Sequence, residues 1–184
     1  MREVIVTVGP RASGKTSFCE KVIVVDPSIV YVNRDNILVE LFGESSLDPY
    51  SGDHIYAYKR MWEVIKQQLN PEDARVILDT WNGDADDRRL IIKNLREHGA
   101  DRIIAWLFVT PIKLVEEWFW KKPGIAKISE INKQGEGLVF YSEDAPRRDF
   151  RIFRQLVSDI GSDGFDEVIK VNPITMLPER LLCL

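Results

Sequence analysis

The chain has 184 residues, of which 45% are hydrophobic and 29% charged, and its net charge is −4. This length and composition fit one globular domain, residues 1–184, with a sizeable core. The acidic balance, with a sequence pI near 5.3, argues against a protein that is wrapped broadly in nucleic acid. A small basic cleft remains compatible with it.

The cysteines and the apolar runs indicate the compartment. Cys19 and Cys183 match no metal or redox spacing, which suggests a reducing compartment and no disulfide framework. The longest apolar run, residues 103–109, is too short to cross a bilayer, and the first residues show no secretory pattern. We therefore expect a cytoplasmic protein without a membrane partner. The sequence does not indicate its oligomeric state.

Strand and helix patterns alternate along the whole chain. Short β-branched runs predict strands, and apolar residues at helical spacing predict helices. Strands are predicted at 3–8, near 29–32, and at 75–79, 102–109 and 167–172, and helices near 16–24, 53–69, 85–98, 111–119 and 146–160. This alternation is typical of an α/β fold with a parallel sheet and helices on both faces.

A glycine-rich stretch follows the first predicted strand at once. "GPRASGKTS" has the Walker A spacing, and its two glycines let successive N–H groups turn toward phosphate oxygens. Lys15 can reach the β- and γ-phosphates, the Thr16 hydroxyl can ligate Mg²⁺, and the following helix adds its positive end. The predicted phosphate-binding residues are Gly9, Arg11, Ala12, Ser13, Gly14, Lys15, Thr16 and Ser17.

Several classes of protein share a Walker A loop, and the rest of the chain separates them. Guanine-specific GTPases carry an Asn-Lys-x-Asp element. The only Asn-Lys here begins at Asn132, and Gly135 stands in place of the required Asp. Motor and helicase ATPases usually need larger chains and arginine fingers from neighbouring subunits. Elimination therefore favours a small kinase that uses ATP.

Polar residues follow the second predicted strand. In "YVNRDNI", Asn33, Arg34 and Asp35 should project from the carboxyl edge of the sheet, where ligands bind in open α/β folds. Asp35 can accept a hydrogen bond from an attacking hydroxyl and aim its lone pair at the γ-phosphorus. This alignment matters more than outright deprotonation, because the transition state is loose. The alternative role for Asp35 is that of a helix N-cap.

A second acid ends the strand predicted at 75–79. Asp79 suits a Walker B-like carboxylate that holds Mg²⁺ through a water, together with Thr16, and Thr80 can assist it. The alternative is a strand-end residue that makes a turn hydrogen bond.

Two further regions are candidates for phosphate contacts. Residues 119–140 mix Lys, Gly and Pro without a clear period, and long irregular segments of this kind tend to be lids or binding loops. The lid cations would be Lys121, Lys122 and Lys127, and a merely solvated loop is the alternative. Arg147 and Arg151 recur at helical spacing and can bind a triphosphate or a DNA backbone. Nearby acids make an ordinary solvated face the alternative.

These motifs together resemble the kinase domain of phage and bacterial polynucleotide 5′-kinases. The resemblance covers roughly residues 2–115 and is carried by "GPRASGKTS", "VNRD", "VILDT" and "DDRRL". It implies a P-loop NTPase kinase fold with a lid, and by analogy a loop at 171–175 that passes the adenine. The implied catalytic residues are Asp35, Lys15 and Asp79, and the implied acceptor contacts are Arg34, Asp35, Thr80, Arg88 and Arg89.

Three departures from that family bear on the acceptor. Leu38 stands where the family carries an Arg that grips the acceptor's phosphate. The segment between Thr80 and Arg88 looks slightly longer than usual. The candidate lid offers lysines in place of arginines, and lysine lacks the bidentate fork. These changes leave ATP use intact and weaken the resemblance at the nucleic acid end.

A related activity would explain these departures, since some phages carry P-loop kinases that phosphorylate 5-hydroxymethyluracil within DNA. Such an enzyme grips a flipped base, which needs aromatic or apolar walls. Trp81, Trp118, Phe119 and Trp120 can supply them, and packing in the core or lid is the alternative. We therefore expect an ATP- and Mg²⁺-dependent kinase with a nucleic acid acceptor, DNA in preference to RNA. The rivals are a kinase for a small nucleoside-like or sugar-nucleotide acceptor, as in zeta toxins, and an ATP-controlled interaction module.

Overall fold

The computed structural model describes residues 1–43, 52–131 and 138–181. The candidate lid is therefore described only in part. Asn132 and Gly135 of the Asn-Lys element, and Cys183, lie outside the described residues. In the portion that is described, no helix has the length and apolar character needed to span a membrane.

The described elements alternate as the sequence predicts. The strands are β1 (Glu3–Val8), β2 (Val30–Asn33), β3 (Arg75–Asp79), β4 (Arg102–Phe108), β5 (Ile125–Lys127), β6 (Val139–Tyr141) and β7 (Glu167–Val171). The helices are α1 (Lys15–Val25), α2 (Arg34–Phe42), α3 (Gly52–Gln68), α4 (Ala85–Glu97), α5 (Ile112–Lys121), α6 (Ala145–Asp159) and α7 (Pro178–Leu181). The predicted boundaries agree to within two residues. Helix α2 was anticipated only through the alternative role of Asp35 as an N-cap, and the short β5, β6 and α7 were not predicted.

Five strands form a parallel sheet in the order β2-β3-β1-β4-β7, and β5 pairs with β6 separately. Helix α1 covers one face of the sheet, where Phe18 packs with Ile5, and α3 and α4 cover the other through Met61 and Leu95. Because both faces are buried, the strands read as continuous apolar runs. The prediction of a parallel sheet between two helical layers is confirmed.

The register of the sheet brings three strand ends to one edge. Asn33 pairs with Asp79 across β2 and β3, and Val6 pairs with Leu78 across β1 and β3. The loop after β1 leads into α1 at the same edge. From β1 the chain runs to β2 and β3 on one side of β1, and then crosses to β4 on the other side. Such a switch point is where ligands bind in open α/β sheets.

Arg88 lies in the core, and its prediction as an acceptor contact is wrong. Its side chain is 1% exposed, its Nε donates to Asp163 Oδ2 at 2.6 Å, and its Nη1 donates to the carbonyl of Asn82 at 3.0 Å. The cause is helix periodicity, because Arg88 shares the buried face of α4 with Ile91, Ile92 and Leu95. That spacing was present in the sequence and could have revealed the burial.

This buried ion pair gives a first testable prediction, on stability. We expect Asp163→Ala to lower the free energy of unfolding by about 3–5 kcal/mol, because it leaves a buried guanidinium without its partner. Chemical denaturation would measure the change. The matched control is Asp86→Ala, which removes the exposed ion pair with Arg89 and should change stability little. Equal losses in the two variants would contradict the prediction.

Candidate active site

The loop between β1 and α1 has the backbone of a phosphate-binding loop. Gly14, the residue before α1, has φ 86° and offers no side-chain cap to the first turn. The first-turn N–H groups of such a helix are therefore available to an anion. Lys15 Nζ crosses the loop and donates to the carbonyls of Gly9 at 2.8 Å and Pro10 at 2.9 Å.

Lys15 is half-buried in the loop. Burial lowers the pKa of Lys15, and attraction to Asp79 offsets part of that effect. Repulsion from Lys122 lowers it further, whereas attraction to Asp35 raises it. Lys122 of the candidate lid and the candidate catalytic acid Asp35 therefore both influence the pKa of Lys15.

Ala12 is strained, which gives a second prediction. Among the described residues it is the one non-glycine residue with positive φ, at 60°. This region costs a residue with a Cβ about 1 kcal/mol or more. We expect Ala12→Gly to raise the free energy of unfolding by up to about 1 kcal/mol in denaturant titrations without nucleotide. Ala85→Gly, at the start of α4, is the control and should lower or preserve stability. A loss in both variants would refute the assignment of strain.

Asp79 is the most heavily hydrogen-bonded side chain of this edge. Its Oδ1 accepts from Thr7 Oγ1 at 2.7 Å. Its Oδ2 accepts from Thr16 Oγ1 at 3.1 Å, Tyr31 OH at 2.8 Å and Asn33 Nδ2 at 2.9 Å. These donors come from β1, β2 and the phosphate-binding loop, so they fix both oxygens of the carboxylate. Burial, followed by repulsion from Asp79, raises the pKa of Tyr31, which keeps it a neutral O–H donor.

Sequence reasoning missed Thr7 and Tyr31 as partners of Asp79. Tyr31 and Asn33 are two residues apart on β2, so they lie on the same face of the sheet. Their approach to Asp79 follows from the register of β2 against β3. The alternation of side chains along β2 places Tyr31 and Asn33 on one face, but predicting their contact with Asp79 also required the order of the strands.

Helix α2 begins with a cap that was not predicted. Asn33, not Asp35, is the N-cap residue, and its side chain accepts a hydrogen bond from the Asn36 N–H at 3.0 Å. The alternative role of Asp35 as N-cap is therefore wrong. Asp35 lies in the first turn with its side chain 59% exposed, and it accepts a hydrogen bond from Arg34 Nη2 at 3.1 Å.

A cavity of about 120 Å³ brings the predicted residues together. We call it the P-loop pocket, and it is lined by Arg11, Lys15, Thr16, Asn33, Arg34, Asp35, Asp79, Thr80 and Trp81. Of the predicted acceptor contacts, Arg34, Asp35 and Thr80 line it, whereas Arg88 is in the core. Arg89 does not line the pocket, and it is exposed and pairs with Asp86 and Asp163, so its role as an acceptor contact stays a prediction.

A second cavity, of about 520 Å³, lies on the other side of the loop. We call it the α1–α5 cleft, and it is lined by Gly14, Ser17, Phe18, Lys21, Trp118, Pro173 and Ile174. A Cβ on Gly14 would lie 3.1 Å from the Trp118 ring and 3.3 Å from Pro173. The cleft therefore connects the start of α1 with the loop after β7.

The Arg11 guanidinium joins the phosphate-binding loop to the surrounding elements. Its Nε donates to Asp149 Oδ2 at 2.6 Å, and its Nη2 donates to Oδ1 at 3.2 Å. Its Cζ lies 4.9 Å from the ring centre of Tyr141, 5.6 Å from that of Phe119 and 5.9 Å from that of Trp81. A bidentate ion pair surrounded by rings is a strong contact. It ties the loop to α5, β6 and α6.

The three candidate lid lysines are placed differently. Lys121 forms an ion pair with Glu117, one turn back on α5. Lys127 Nζ lies 5.2 Å from the ring centre of Trp120. Of the three, Lys122 is the one with an electrostatic effect on Lys15.

Arg147 and Arg151 do not line the P-loop pocket, and their role as phosphate contacts stays a prediction. Arg147 pairs with Glu116 of α5, and Arg151 is exposed near Asp144. The inner face of α6 instead carries Asp149 to Arg11. The pairing of Arg147 with Glu116 also fits the alternative, an ordinary solvated face.

The oxygen atoms around Thr16 suit a hard cation. The Thr16 hydroxyl and the Asp79 carboxylate are 3.1 Å apart at the base of the pocket, and Mg²⁺ prefers such oxygen ligands. Within the described ranges no group of three or more His, Cys, Asp or Glu side chains forms a metal cage. In nucleotide sites Mg²⁺ is usually bound by one or two protein oxygens together with substrate phosphates.

The parallel sheet, the loop between β1 and α1 and the acid at the end of β3 define a nucleotide-binding protein with the P-loop kinase fold. The chain belongs to the family described as AAA domain, whose model matches residues 4–132. No curated protein matches the sequence significantly.

Solved structures agree on the fold. A chain of the Pnkp1/Rnl/Hen1 RNA repair complex is similar at TM-score 0.63 and 22% identity. The match covers 85% of this chain but only 45% of that chain. A fungal RNA kinase is similar at TM-score 0.54 and 19% identity, covering 93% and 74% of the two chains. Shikimate kinase from Acinetobacter baumannii, in complex with shikimate, is similar at TM-score 0.55 and 14% identity, covering 99% and 91%.

Proposed function

We propose that the protein is an ATP- and Mg²⁺-dependent kinase that phosphorylates a hydroxyl on a nucleic acid. The acceptor would be a 5′-hydroxyl end or the hydroxymethyl group of 5-hydroxymethyluracil in DNA. The observation that carries this proposal is that Lys15, Thr16, Asp35 and Asp79 line one pocket. Phosphoryl transfer requires a cationic side chain, which Lys15 would supply, and metal ligands, which Thr16 and Asp79 would supply. It also requires an acid near the acceptor, which would be the exposed Asp35.

On the donor side, the loop amides and Lys15 would hold the phosphates. Lys15 now donates to two carbonyls of its own loop, and an incoming phosphate offers the ammonium group stronger, charged acceptors. The adenosine would occupy the α1–α5 cleft, which opens at Gly14 beside the Trp118 ring. Lys122 would add positive charge from the lid side.

Thr16 and Asp79 would hold the magnesium ion, Asp79 through a water. When bound, the ion supplies positive charge to the phosphate oxygens. The donors from Thr7, Tyr31 and Asn33 keep the Asp79 carboxylate in one orientation. Preorganisation of this kind lowers the cost of reaching the transition state.

In the transfer step, the Asp35 carboxylate would accept a hydrogen bond from the acceptor hydroxyl. The hydroxyl oxygen forms a bond to the γ-phosphorus as the bond from that phosphorus to the β–γ bridging oxygen breaks. The electron pair leaves with ADP, and the hydroxyl proton passes through Asp35 to solvent. Lys15 balances the negative charge on the transferred group.

The nucleic acid acceptor is favoured by the motifs shared with polynucleotide kinases. Two of the similar structures are named for RNA repair and RNA kinase, and Arg34 lies beside Asp35 in the pocket. The small-molecule rival is favoured by shikimate kinase, which this chain matches over nearly its full length. An assay must therefore include both kinds of acceptor.

Labelled γ-phosphate ATP would test the proposal. It should be offered with 5′-hydroxyl DNA and RNA oligonucleotides, 5-hydroxymethyluracil DNA, free nucleosides and shikimate in parallel. We expect label on one of the nucleic acids. Label on small molecules alone would replace the proposal by its rival, and ATP binding without any labelled product would leave an ATP-controlled interaction module.

A further inference from the structure

An exposed indole forms one wall of the P-loop pocket. Trp81 follows Asp79 and Thr80 directly, lines the pocket with Asp35 and is 38% exposed. Trp106 in the sheet, by contrast, is buried. A large aromatic surface that stays open at the wall of a pocket is a recurrent feature of ligand sites.

The indole is held in place by close neighbours. Its ring meets Phe153 edge to face, with ring centres 5.3 Å apart and planes at 90°. A Cβ on Gly83 would lie 2.9 Å from Trp81 Cζ2 and 3.3 Å from a methyl of Ile152. Glycine at 83 is therefore what allows the backbone to approach the ring so closely.

The segment that carries Trp81 is anchored by buried polar contacts. Asn82 is buried, and its Nδ2 donates to the Thr7 carbonyl at 2.7 Å. The Asn82 carbonyl accepts from Arg88, which is in turn paired with Asp163. Fully paired buried groups make a segment rigid. The ring is thus preorganised, although it lies just after the strand end.

We propose that Trp81 determines acceptor specificity by stacking with a planar ring next to the hydroxyl that is phosphorylated. The acceptor is then a nucleoside unit, in a strand or as a modified base, and not an alicyclic alcohol. Stacking on an aromatic side chain tolerates every base, because every base has a π-face. This inference rests on the proposed function and narrows its acceptor.

The test compares two oligonucleotides that share the same 5′-hydroxyl. One has a normal first nucleotide, and the other has an abasic first residue. We expect the wild-type protein to favour the normal end by about 10- to 100-fold in kcat/KM, as stacking of one base allows. Trp81→Leu should remove most of that preference, and Trp81→Phe should retain most of it. Gly83→Ala should mimic Trp81→Leu by displacing the indole.

Tyr56→Leu is the matched control, since Tyr56 is an exposed aromatic residue outside the P-loop pocket. It should keep the wild-type preference. ATP affinity of each variant, measured with a non-hydrolysable analogue, would show that the donor site is intact. Fluorescence anisotropy would give the affinity of each variant for both oligonucleotides, whether or not turnover occurs.

The outcomes separate the two proposals. Phosphorylation of both ends at equal kcat/KM, or an equal loss on both ends in Trp81→Leu, would overturn the role of Trp81 and leave the kinase assignment standing. Transfer to shikimate alone would overturn both. If no acceptor is phosphorylated, the proposed function fails, and the inference is decided by binding. It stands if the wild-type protein and Trp81→Phe bind the normal end more tightly, whereas Trp81→Leu and Gly83→Ala do not.

Discussion

Asp35→Asn is expected to retain ATP binding and to lose at least about two decades in phosphoryl-transfer rate. An amide keeps the size of the side chain but cannot accept the acceptor's proton, and general bases contribute on this scale. Asp35 hydrogen-bonds Arg34 and acts on Lys15 through its charge, so we expect only a small change in ATP affinity. Single-turnover transfer and the affinity for a non-hydrolysable ATP analogue would measure the two effects.

Glu40→Gln provides the matched control for Asp35. Glu40 is an exposed acid on the same helix α2 and does not line the P-loop pocket. It should transfer phosphate at the wild-type rate. If Asp35→Asn behaves like this control, Asp35 is not the residue that orients the acceptor, and the proposed mechanism fails.

Asp79→Asn should lower the phosphoryl-transfer rate as much as Asp35→Asn, but through the metal site. We expect a loss of at least about two decades in rate, together with a higher Mg²⁺ requirement, because one carboxylate oxygen becomes a hydrogen-bond donor. That donor would face Thr16, Tyr31 or Asn33, which now donate to the carboxylate. Transfer rates over a series of Mg²⁺ concentrations would measure both effects.

Tyr31→Phe separates the charge of Asp79 from its orientation. It removes one of the hydrogen bonds to Oδ2 and preserves the carboxylate, so we expect roughly a tenfold loss or less. Circular dichroism would establish that both variants are folded. An Asp79→Asn protein with wild-type rate and Mg²⁺ dependence would exclude Asp79 from the metal site.

The fold could be predicted because its signals are local. The alternation of strands and helices and the Walker A spacing each occupy a few consecutive residues, and they indicated the parallel sheet that the structure shows. The short β5 and β6 could not be found in this way. Their segment has no apolar period, and each strand exists through pairing with the other.

The site was predicted less completely because its contacts are not local. Thr7, Asn33 and Asp79 meet through the order and register of three strands, which no single segment encodes. The predicted roles of arginines were the least reliable part of the sequence analysis. The sequence predicts Arg88 as a substrate contact, but its side chain is buried against Asp163. It predicts Arg11 as part of the phosphate-binding loop, and the structure shows in addition that Arg11 is paired with Asp149. An arginine's role depends on the distant acid that it meets.

Asn33 gives the two acids of the pocket a common point of attachment. Its side-chain oxygen accepts from the Asn36 N–H of α2, and its nitrogen donates to Asp79 on β3. Because one amide makes both hydrogen bonds, it fixes the start of α2, and with it Asp35, relative to the Asp79 carboxylate. Loss of the Asn33 amide would therefore disturb the positions of both acids at once.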